Sequence, residues 1–467
     1  MAQNFELDCP AHMTASTKKT ARLRGRKTMK LLFENHEVDW PRISAGSRKL
    51  LLVVGSLILA GPSIAQEKPT AENPAKVILD TDMVELFDDG TAMLLLDRAP
   101  NIDLLGVTVV AGNTPMPAGV ATGVRQLEAT GSSVPIYEGS RYGIRNWRGD
   151  RTNPAVMAAE QQISPIIGWG GYMRPSAGDG IDADPMANWA DVYKLKYGEA
   201  PSYANVYGLD HPDADGSDDA VDFMVRTVNK HPGEITIIAI GPLTNIARAI
   251  LKDPTFPSKV SRIVYMGGAF FVPGNSSASA EFNWWADPEA AKISVRAKWG
   301  DPKSETFATY GNQVIAGLEA NEHSGGMPED LYRRMVDSTF PGIRKLWLER
   351  EERMKKQGKT KFGPTNVWDL FAAAYVIDPS IVLAWNNAPR PADGKPQPII
   401  GVAVDVNTEM GLDYGRSLAF GDSDDPNSKA IPGPVGTQKA AIQNHIDEEE
   451  FWNEIVVPLS ADSSSQK

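Results

Sequence analysis

The pattern of apolar and polar positions predicts strands that alternate with helices. Short apolar runs at residues 77–79, 102–110 and 234–240 are typical of buried strands. Helical spacing follows each run, beginning near Ala92, across residues 118–127 and after Gly241. This alternation predicts a parallel sheet with helices on its faces. We therefore expect an α/β fold: a single domain over residues 66–460, with an open, mostly parallel β-sheet flanked by helices.

The alternation continues towards the C-terminus. Further strands are predicted at residues 134–137, 262–266, 305–310 and 399–406, and further helices from Asp287, over residues 328–356 with a break at Pro341, and over residues 368–376. Residues 140–216 interrupt the pattern, because they are rich in Gly, Pro, Asp and aromatic residues and show no clear period. This irregular insertion is either a lid near the functional site or a surface excursion with a small core.

Four aspartates crowd the end of the first predicted strand. Asp80, Asp82, Asp88 and Asp89 follow residues 77–79, with Glu85 between them. Ligands of open α/β sheets bind at the carboxyl ends of the strands. Carboxylates this close together repel one another, and a bound cation would remove that cost. A helix cap explains one aspartate but not four, and oxygen ligands alone favour Ca²⁺ or Mg²⁺.

The N-terminal residues differ from the rest in charge. Residues 1–65 contain ten Lys or Arg and five Asp or Glu, a balance of +5. The net charge of the whole chain is −12, so the remainder carries about −17. That balance disfavours nucleic acid or an anionic membrane as a partner. Arg48 and Lys49 precede an apolar run at residues 50–60 and small residues up to Ala65, as in a signal peptide. We expect a secreted or periplasmic protein without a membrane anchor after cleavage; the alternative is an uncleaved anchor.

Further polar motifs lie at predicted strand ends and helix starts. They are Gly112-Asn113, residues 241–245, residues 274–289 and Trp368-Asp369. Their carboxylates and amides suit the hydroxyl groups of a sugar. Together with the aspartates, the chain resembles the inosine–uridine-preferring nucleoside hydrolase family over residues 76–379, the insertion excepted. The motifs DTD…DD, AGN, GPLTN, MGGAF…GN…AEFN…DPEAA and WD…AAAYxIDP follow the family's order.

The resemblance implies roles for individual residues. Ca²⁺ would be bound by the side chains of Asp82, Asp89 and Asp369 and by the backbone carbonyl of Ile240. Asp80 would support the other aspartates without touching the ion. Seven residues would bind the substrate, either through polar groups or by lining its pocket. They are Asp88, Asn113, Met266, Asn275, Glu281, Asn283 and Trp368.

The resemblance also implies a reaction. A ribonucleoside would be hydrolysed at its N-glycosidic bond to ribose and free base, by a calcium-bound water that inverts the anomeric carbon. The transition state resembles an oxocarbenium ion, which nearby carboxylates and amide oxygens stabilise. Asp82 is the candidate general base. The expected partner is a small-molecule nucleoside, and a homo-oligomer is compatible with the sequence.

Two features depart from the family's motifs. Asp82 and Asp88 are two residues further apart than in the commonest form, DxDPGxDD. Trp368 stands where many members have a histidine that protonates the leaving base, and indole has no acidic group for this. It could stack on a nucleobase, line the pocket or pack in the core. The alternatives are therefore a hydrolase of another N-ribosyl or sugar-like compound, or a non-catalytic metal-dependent sugar- or nucleoside-binding protein.

Overall fold

A computed structural model describes residues 68–86, 88–145, 189–202, 205–207, 219–322, 324–356, 358–363, 366–421 and 431–460. The predicted leader, residues 1–65, and most of the predicted insertion lie outside these residues. Among the described residues, no helix combines the length and the apolar character needed to cross a membrane.

The described residues alternate between strands and helices. The strands are β1 Ala75–Thr81, β2 Ile102–Val109, β3 Ile136–Glu138, β4 Val206–Tyr207, β5 Ile235–Ala239, β6 Arg262–Met266, β7 Gln313–Ala316, β8 Val382–Trp385, β9 Val402–Val406, β10 Ser417–Phe420 and β11 Gln438–Ile446. The helices are α1 Asp88–Arg98, α2 Met116–Thr130, α3 Trp189–Tyr197, α4 Ala220–Lys230, α5 Thr244–Lys252, α6 Phe256–Lys259, α7 Phe282–Ala286, α8 Pro288–Val295, α9 Glu305–Tyr310, α10 Leu318–Glu322, α11 Glu329–Val336, α12 Pro341–Lys356, α13 Trp368–Ile377 and α14 Glu448–Glu450. Short 3₁₀ or π turns cover Pro379–Ile381, Phe451–Val456 and Val457–Ser460.

One sheet organises the molecule. Its strand order is β10-β9-β11-β7-β6-β5-β1-β2-β3-β4, with β8 also paired to β11. Neighbours from β11 through β7 and β1 to β4 are parallel. The pairs that involve β8, β9 and β10 are antiparallel. The predicted mostly parallel sheet with flanking helices is therefore confirmed.

The order in which the chain adds strands to the sheet reverses beside β1. The chain proceeds from β1 to β2, β3 and β4 on one side, and then returns with β5 to the other side of β1. Such a switch point leaves a crevice at the carboxyl ends of the two central strands, where open α/β sheets bind ligands. Asp80 in β1 pairs with Thr108 of β2 and Ala239 of β5, so the aspartates lie at this crevice.

Two apolar layers enclose the sheet. Side chains alternate along a strand, so Val77 and Leu79 pack on one face while Ile78 packs on the other. Helices α1, α2 and α13 cover the first face, and α4, α5 and α8 cover the second. Strands buried on both faces are near-continuous apolar runs, which is why β1 and β5 were recognisable in the sequence.

Two local predictions have different outcomes. Residues 305–310 were expected to form a strand, and this is wrong because Glu305–Tyr310 is a helix. The Ser304 side chain accepts a hydrogen bond from the Phe307 N–H, and Gly311 ends the helix with φ 64°. The break expected at Pro341 is confirmed, since α11 ends at Val336 and α12 begins at Pro341.

The predicted insertion contains some regular structure. Within residues 140–216, helix α3 and strand β4 are described, and β4 extends the sheet by pairing with β3. Residues 146–188, 203–204 and 208–218 lie outside the described part of the chain. The predicted lid or surface excursion concerns mainly these residues and stays a prediction.

Candidate functional site

Asp82 occupies a narrow space at the end of β1. The Asn113 N–H donates a 2.5 Å hydrogen bond to its Oδ2 atom. A Cβ atom on Gly112 would lie 2.1 Å from Asp82 Oδ2, and one on Gly241 would lie 3.1 Å from Oδ1. Glycine is therefore needed in both neighbouring loops. This close approach places the Asp82 carboxylate between the loop after β2 and the loop after β5.

Three more aspartates meet at the N-termini of two packed helices. Asp88 and Asp89 are in the first turn of α1, and Asp369 is in the first turn of α13, which packs against α1. Carboxylate oxygens of these three residues all lie within 4.8 Å of one another, and all three side chains are buried. Helix N-termini favour negative charge, which partly offsets the repulsion.

Burial and mutual repulsion make the charges of these aspartates unfavourable, and both raise their pKa values. Burial and the neighbouring Asp89 charge hold the pKa of Asp82 well above its usual range. The same two causes raise the pKa of Asp88. Burial and the charges of Asp88 and Asp89 raise that of Asp369. Burial also raises the pKa of Asp89 to about 6, although hydrogen bonds such as that from Thr81 Oγ1 oppose the rise.

Asp80 lies beside this cluster but points to the other face of the sheet. Its Oδ1 atom accepts hydrogen bonds from Thr108 Oγ1 at 2.6 Å and Asn245 Nδ2 at 2.8 Å. Asn245 Oδ1 in turn accepts from the Ser140 N–H at 2.8 Å. Burial raises the pKa of Asp80 to about 7. These contacts hold Asp80 in place and give Asn245 a structural role, while support of the other aspartates by Asp80 stays a prediction.

A second polar group lies after β5 and β6. Asn283 Nδ2 donates to the Ile240 carbonyl at 2.9 Å and to the Met266 carbonyl at 3.3 Å. The Glu281 carboxylate caps α7 by accepting from the N–H groups of Asn283 and Trp284, and it also accepts from the Gly268 N–H in the loop after β6. Burial raises the pKa of Glu281 to about 7, and its charge acts on Asp369. The structure thus brings Ile240, Met266, Glu281 and Asn283 together beside the aspartates.

The other predicted substrate residues have looser connections. Asn113 is half-buried, and its Nδ2 atom donates to Asp89 Oδ2 at 3.3 Å. Asn275 is half-buried and accepts a hydrogen bond from the Phe282 N–H at 2.8 Å, with no hydrogen bond to the aspartates among the described residues. Trp368 begins α13 beside Asp369, is half-buried and packs against the apolar layer around α1.

The donor set fits a hard divalent cation. Within the described residues, Asp82 Oδ1, Asp88 Oδ1 and Asn283 Oδ1 are buried and have no hydrogen-bond partner. Buried oxygens without a donor are costly, and a cation would satisfy them. Every candidate ligand is an oxygen, which suits Ca²⁺ or Mg²⁺ better than a softer metal. Asp88, predicted to bind ribose, is as close to Asp89 and Asp369 as a ligand would be.

A comparison with known families agrees with this geometry. The family model described as inosine-uridine preferring nucleoside hydrolase matches residues 77–453. The chain belongs to this family. The match includes the end of β1, α1 and α13. Asp80, Asp82, Asp88, Asp89 and Asp369 therefore all lie within the part of the chain that matches the family.

Two curated relatives carry names that refer to uridine or to pyrimidine ribonucleosides. A protein from Oryza sativa subsp. japonica named probable uridine nucleosidase 1 is 35% identical over 219 residues, which are 47% of this chain and 54% of the relative. The chain thus spans about half the length of the two rice relatives that it matches. The pyrimidine-specific ribonucleoside hydrolase of Escherichia coli is 27% identical over 81% of this chain and 94% of the relative.

Solved structures share the fold. A plant nucleoside hydrolase aligns with a TM-score of 0.54 at 22% identity, covering 83% of this chain and 100% of that one. A purine-preferring ribonucleoside hydrolase from Gardnerella vaginalis aligns with a TM-score of 0.53 at 22% identity, covering 82% and 98%. These likenesses support the nucleoside hydrolase architecture of the sheet.

Some residues of the site were not singled out from the sequence. Thr81 Oγ1 donates to Asp89 Oδ1 at 2.6 Å, and Thr108 supports Asp80. Gln126 of α2 accepts from the Leu86 N–H and donates to the Gly90 carbonyl. A polar residue inside an apolar strand, as Thr81 and Thr108 are, was the available signal. Gln126 gave no such signal, because helices commonly carry glutamine on their surface.

Proposed function

We propose that this protein is a Ca²⁺-dependent hydrolase that cleaves the N-glycosidic bond of ribonucleosides to ribose and free base. The observation that supports it best is the buried group of Asp88, Asp89 and Asp369, within 4.8 Å of one another, in a chain of the nucleoside hydrolase family. Relatives named nucleosidases or ribonucleoside hydrolases support the reaction class.

In this proposal Asp82, Asp89, Asp369 and the Ile240 carbonyl hold the ion. When bound, Ca²⁺ supplies positive charge that lets the buried carboxylates ionise, lowers the pKa of a water and orders ribose hydroxyls. The Ile240 carbonyl accepts one hydrogen bond from Asn283 and has a second lone pair. The Gly241 backbone lies against Asp82, so that carbonyl is near the carboxylate it would act with.

Asp82 is the proposed general base. Its Oδ2 atom is fixed by the Asn113 N–H, while Oδ1 is buried and has no hydrogen-bond partner among the described residues. Oδ1 is therefore the atom that would accept a proton from the attacking water. A water that is activated by Asp82 and adds directly to the anomeric carbon, opposite the leaving base, would invert that carbon with no covalent intermediate.

The ribose is proposed to lie between the aspartates and the group around Asn283. Asp88 and Asn113 would bind ring hydroxyls, since both contact the aspartate cluster. The buried Oδ1 atom of Asn283 has no donor in the part of the chain that the structure describes, which suits a hydroxyl group. Asn275, Glu281 and Met266 would complete the pocket. Positive charge developing on the ribosyl ring would be stabilised by these carboxylates and amides.

Trp368 supports a second candidate. It stands directly before Asp369, and an indole has no acidic proton to give to a leaving base. A substrate with a better leaving group, such as another N-ribosyl compound, would need no acid at this position. A rice relative is named a probable uridine nucleosidase and a solved structure a purine-preferring hydrolase, so the assay includes both pyrimidine and purine nucleosides.

Export and partners remain proposals drawn from the sequence. The basic residues and the apolar run at residues 50–60 support a cleaved signal peptide and a secreted or periplasmic location. The acidic remainder supports a small-molecule substrate rather than nucleic acid. N-terminal sequencing of the exported protein should give Gln66 as the first residue, and a full-length chain retained in the membrane would contradict the proposal. A homo-oligomer stays a prediction.

The test is release of ribose from a panel of purine and pyrimidine nucleosides. We expect reducing sugar to appear with at least one nucleoside, to stop with a calcium chelator and to return when Ca²⁺ is restored. Asp89→Ala should be inactive, and Asp103→Ala, which alters an exposed aspartate of β2, should behave as wild type. Nucleoside binding without ribose release would instead identify a binding protein.

A further inference from the structure

The segment that joins Asp82 to Asp88 is held in a strained form. We call residues 82–89 the aspartate loop; Phe87 is outside the described residues. Leu86 in this loop is buried and has φ 50°, which is rare for a residue with a branched, bulky side chain. A strained residue persists only where surrounding contacts hold it in place.

Helix α2 supplies one set of those contacts through Gln126. Its Oε1 atom accepts from the Leu86 N–H at 3.0 Å, and its Nε2 atom donates to the Gly90 carbonyl at 2.5 Å. The Gly90 N–H donates to the Val84 carbonyl at 3.1 Å. A Cβ on Gly90 would lie 2.4 Å from Gln126 Oε1, so a glycine at this position leaves room for the Gln126 side chain beside the loop.

A buried ion cluster supplies the second set. Glu85 of the aspartate loop is fully buried and pairs with Arg125 of α2 and Arg353 of α12. Arg125 also pairs with Glu349 of α12 at 2.5 Å and with Glu199, which follows α3, at 2.9 Å. We call these five residues the Arg125 cluster. Both guanidinium groups also lie over the Tyr197 ring, at 4.5 and 5.2 Å from its centroid.

The position of this cluster suggests more than a contribution to stability. A buried ion pair is often no more stabilising than apolar packing, yet loss of one partner leaves a costly unpaired charge. Glu85 is three residues from Asp82 and three from Asp88, so its two arginine partners fix the middle of the aspartate loop. A shift of that loop would move the aspartates at both of its ends.

We propose that Glu85, held by Arg125 and Arg353, is a positioning residue that keeps Asp82, Asp88 and Asp89 in the geometry that binds the cation. The inference rests on the proposed function, because it assumes that these aspartates bind Ca²⁺. Glu85 itself would not touch the ion or the substrate. The cluster also ties the chain after α3, through Glu199, to the same loop.

The test is Ca²⁺ affinity measured by calorimetry on the full chain. Glu85→Gln keeps the side-chain size and removes the charge, and we expect Ca²⁺ to bind about 10- to 100-fold more weakly, as when other groups that support metal ligands are removed. Arg353→Gln should weaken binding in the same direction; the Arg353 side chain is 21% exposed, so this variant is the safer one to fold. Arg344→Gln, on the exposed side of the same α12, is the matched control and should leave affinity unchanged.

Melting temperatures with and without Ca²⁺ separate positioning from a purely structural role. A positioning role predicts that the rise in melting temperature caused by Ca²⁺ becomes smaller in Glu85→Gln and Arg353→Gln. Lower melting temperatures with an unchanged rise and an unchanged Ca²⁺ affinity would overturn the inference. If Glu85→Gln does not fold, Arg353→Gln decides alone. Absence of Ca²⁺ binding in the wild type would overturn the proposed metal as well, whereas native affinity in both variants would overturn only the role of Glu85.

Discussion

Asp80 is a buried carboxyl group whose titration should make the stability of the protein depend on pH. Its Oδ1 atom accepts hydrogen bonds from Thr108 and Asn245, while Oδ2 has no partner among the described residues. Burial raises its pKa to about 7. Asp80→Asn keeps the shape and the acceptor atom and removes the titration, so the variant isolates the cost of charging this carboxyl.

The direction and the size of this pH dependence follow from the pKa of Asp80 in the folded protein and in the unfolded chain. Because the folded pKa of about 7 lies above the ordinary value of 3.8, the folded protein binds more protons than the unfolded chain between these values. The free energy of unfolding therefore falls as pH rises from 4 to 7. About three pKa units at 1.36 kcal/mol each correspond to about 4 kcal/mol. For roughly 400 folded residues, with an unfolding entropy of about 0.8 kcal/mol/K, this is a shift of about 5 °C.

The assay is the melting temperature of both proteins from pH 4 to pH 8, in chelator. The other acidic groups titrate in both, so their effect cancels in the difference. We expect Asp80→Asn to gain about 5 °C relative to wild type between pH 4 and pH 8. Asp103→Asn, which changes an exposed aspartate, should show no such trend. A flat difference for Asp80→Asn would mean that the buried carboxyl titrates normally, and the reasoning would fail.

The remaining predictions concern the ion and the leaving group. Asp89→Ala should lose tight Ca²⁺ binding in calorimetry together with ribose release, and an unchanged affinity would mean that the ion is bound elsewhere. Asp82→Asn should keep the fold and much of the substrate affinity while kcat falls by about 10²- to 10⁴-fold. Because Asp82 is also a proposed ligand, Ca²⁺ occupancy is measured in the same variant, and a near-normal kcat with Ca²⁺ bound would exclude Asp82 as the base. Trp368→His introduces a group that titrates near neutrality, so nucleosides with poor leaving groups should hold or gain rate while p-nitrophenyl riboside gains nothing. Equal losses on both substrates would make Trp368 a packing residue.

The central strands could be predicted from the sequence because both of their faces are apolar. Strands β1, β2, β5 and β6 are short runs of that kind, and each was expected within a residue or two of its place. Strand β7 was missed because it begins with Gln313, a buried side chain that accepts from the Tyr265 hydroxyl and donates to the Val295 carbonyl. Strand β11 likewise carries the buried polar residues Gln443 and Asn444. Buried polar residues with tertiary partners break the periodicity on which the prediction depends.

The site was predictable to the extent that its residues follow strand ends or begin helices. Asp82, the loop at Asn113 and the Ile240 carbonyl all follow neighbouring strands, so their meeting is a consequence of a parallel sheet. Asp369 joins them only because α13 packs against α1, a contact that periodicity does not show. The resemblance to the family supplied that residue. Asn245 and Thr108 hold Asp80 through contacts between distant parts of the chain, and no local pattern predicts those contacts.

Glu85 shows how tertiary contacts can reverse what the sequence suggests. As a fifth acidic residue among four aspartates, it should add to their repulsion and lie in solvent. In the structure its charge is compensated by Arg125 and Arg353, so it anchors the loop. The strain at Leu86, of about 1–3 kcal/mol for a residue in this region of backbone space, is opposed by the same anchor and by Gln126. The longer spacing between Asp82 and Asp88 is thus compatible with an ordered cation site, because helices α2 and α12 hold the extra length.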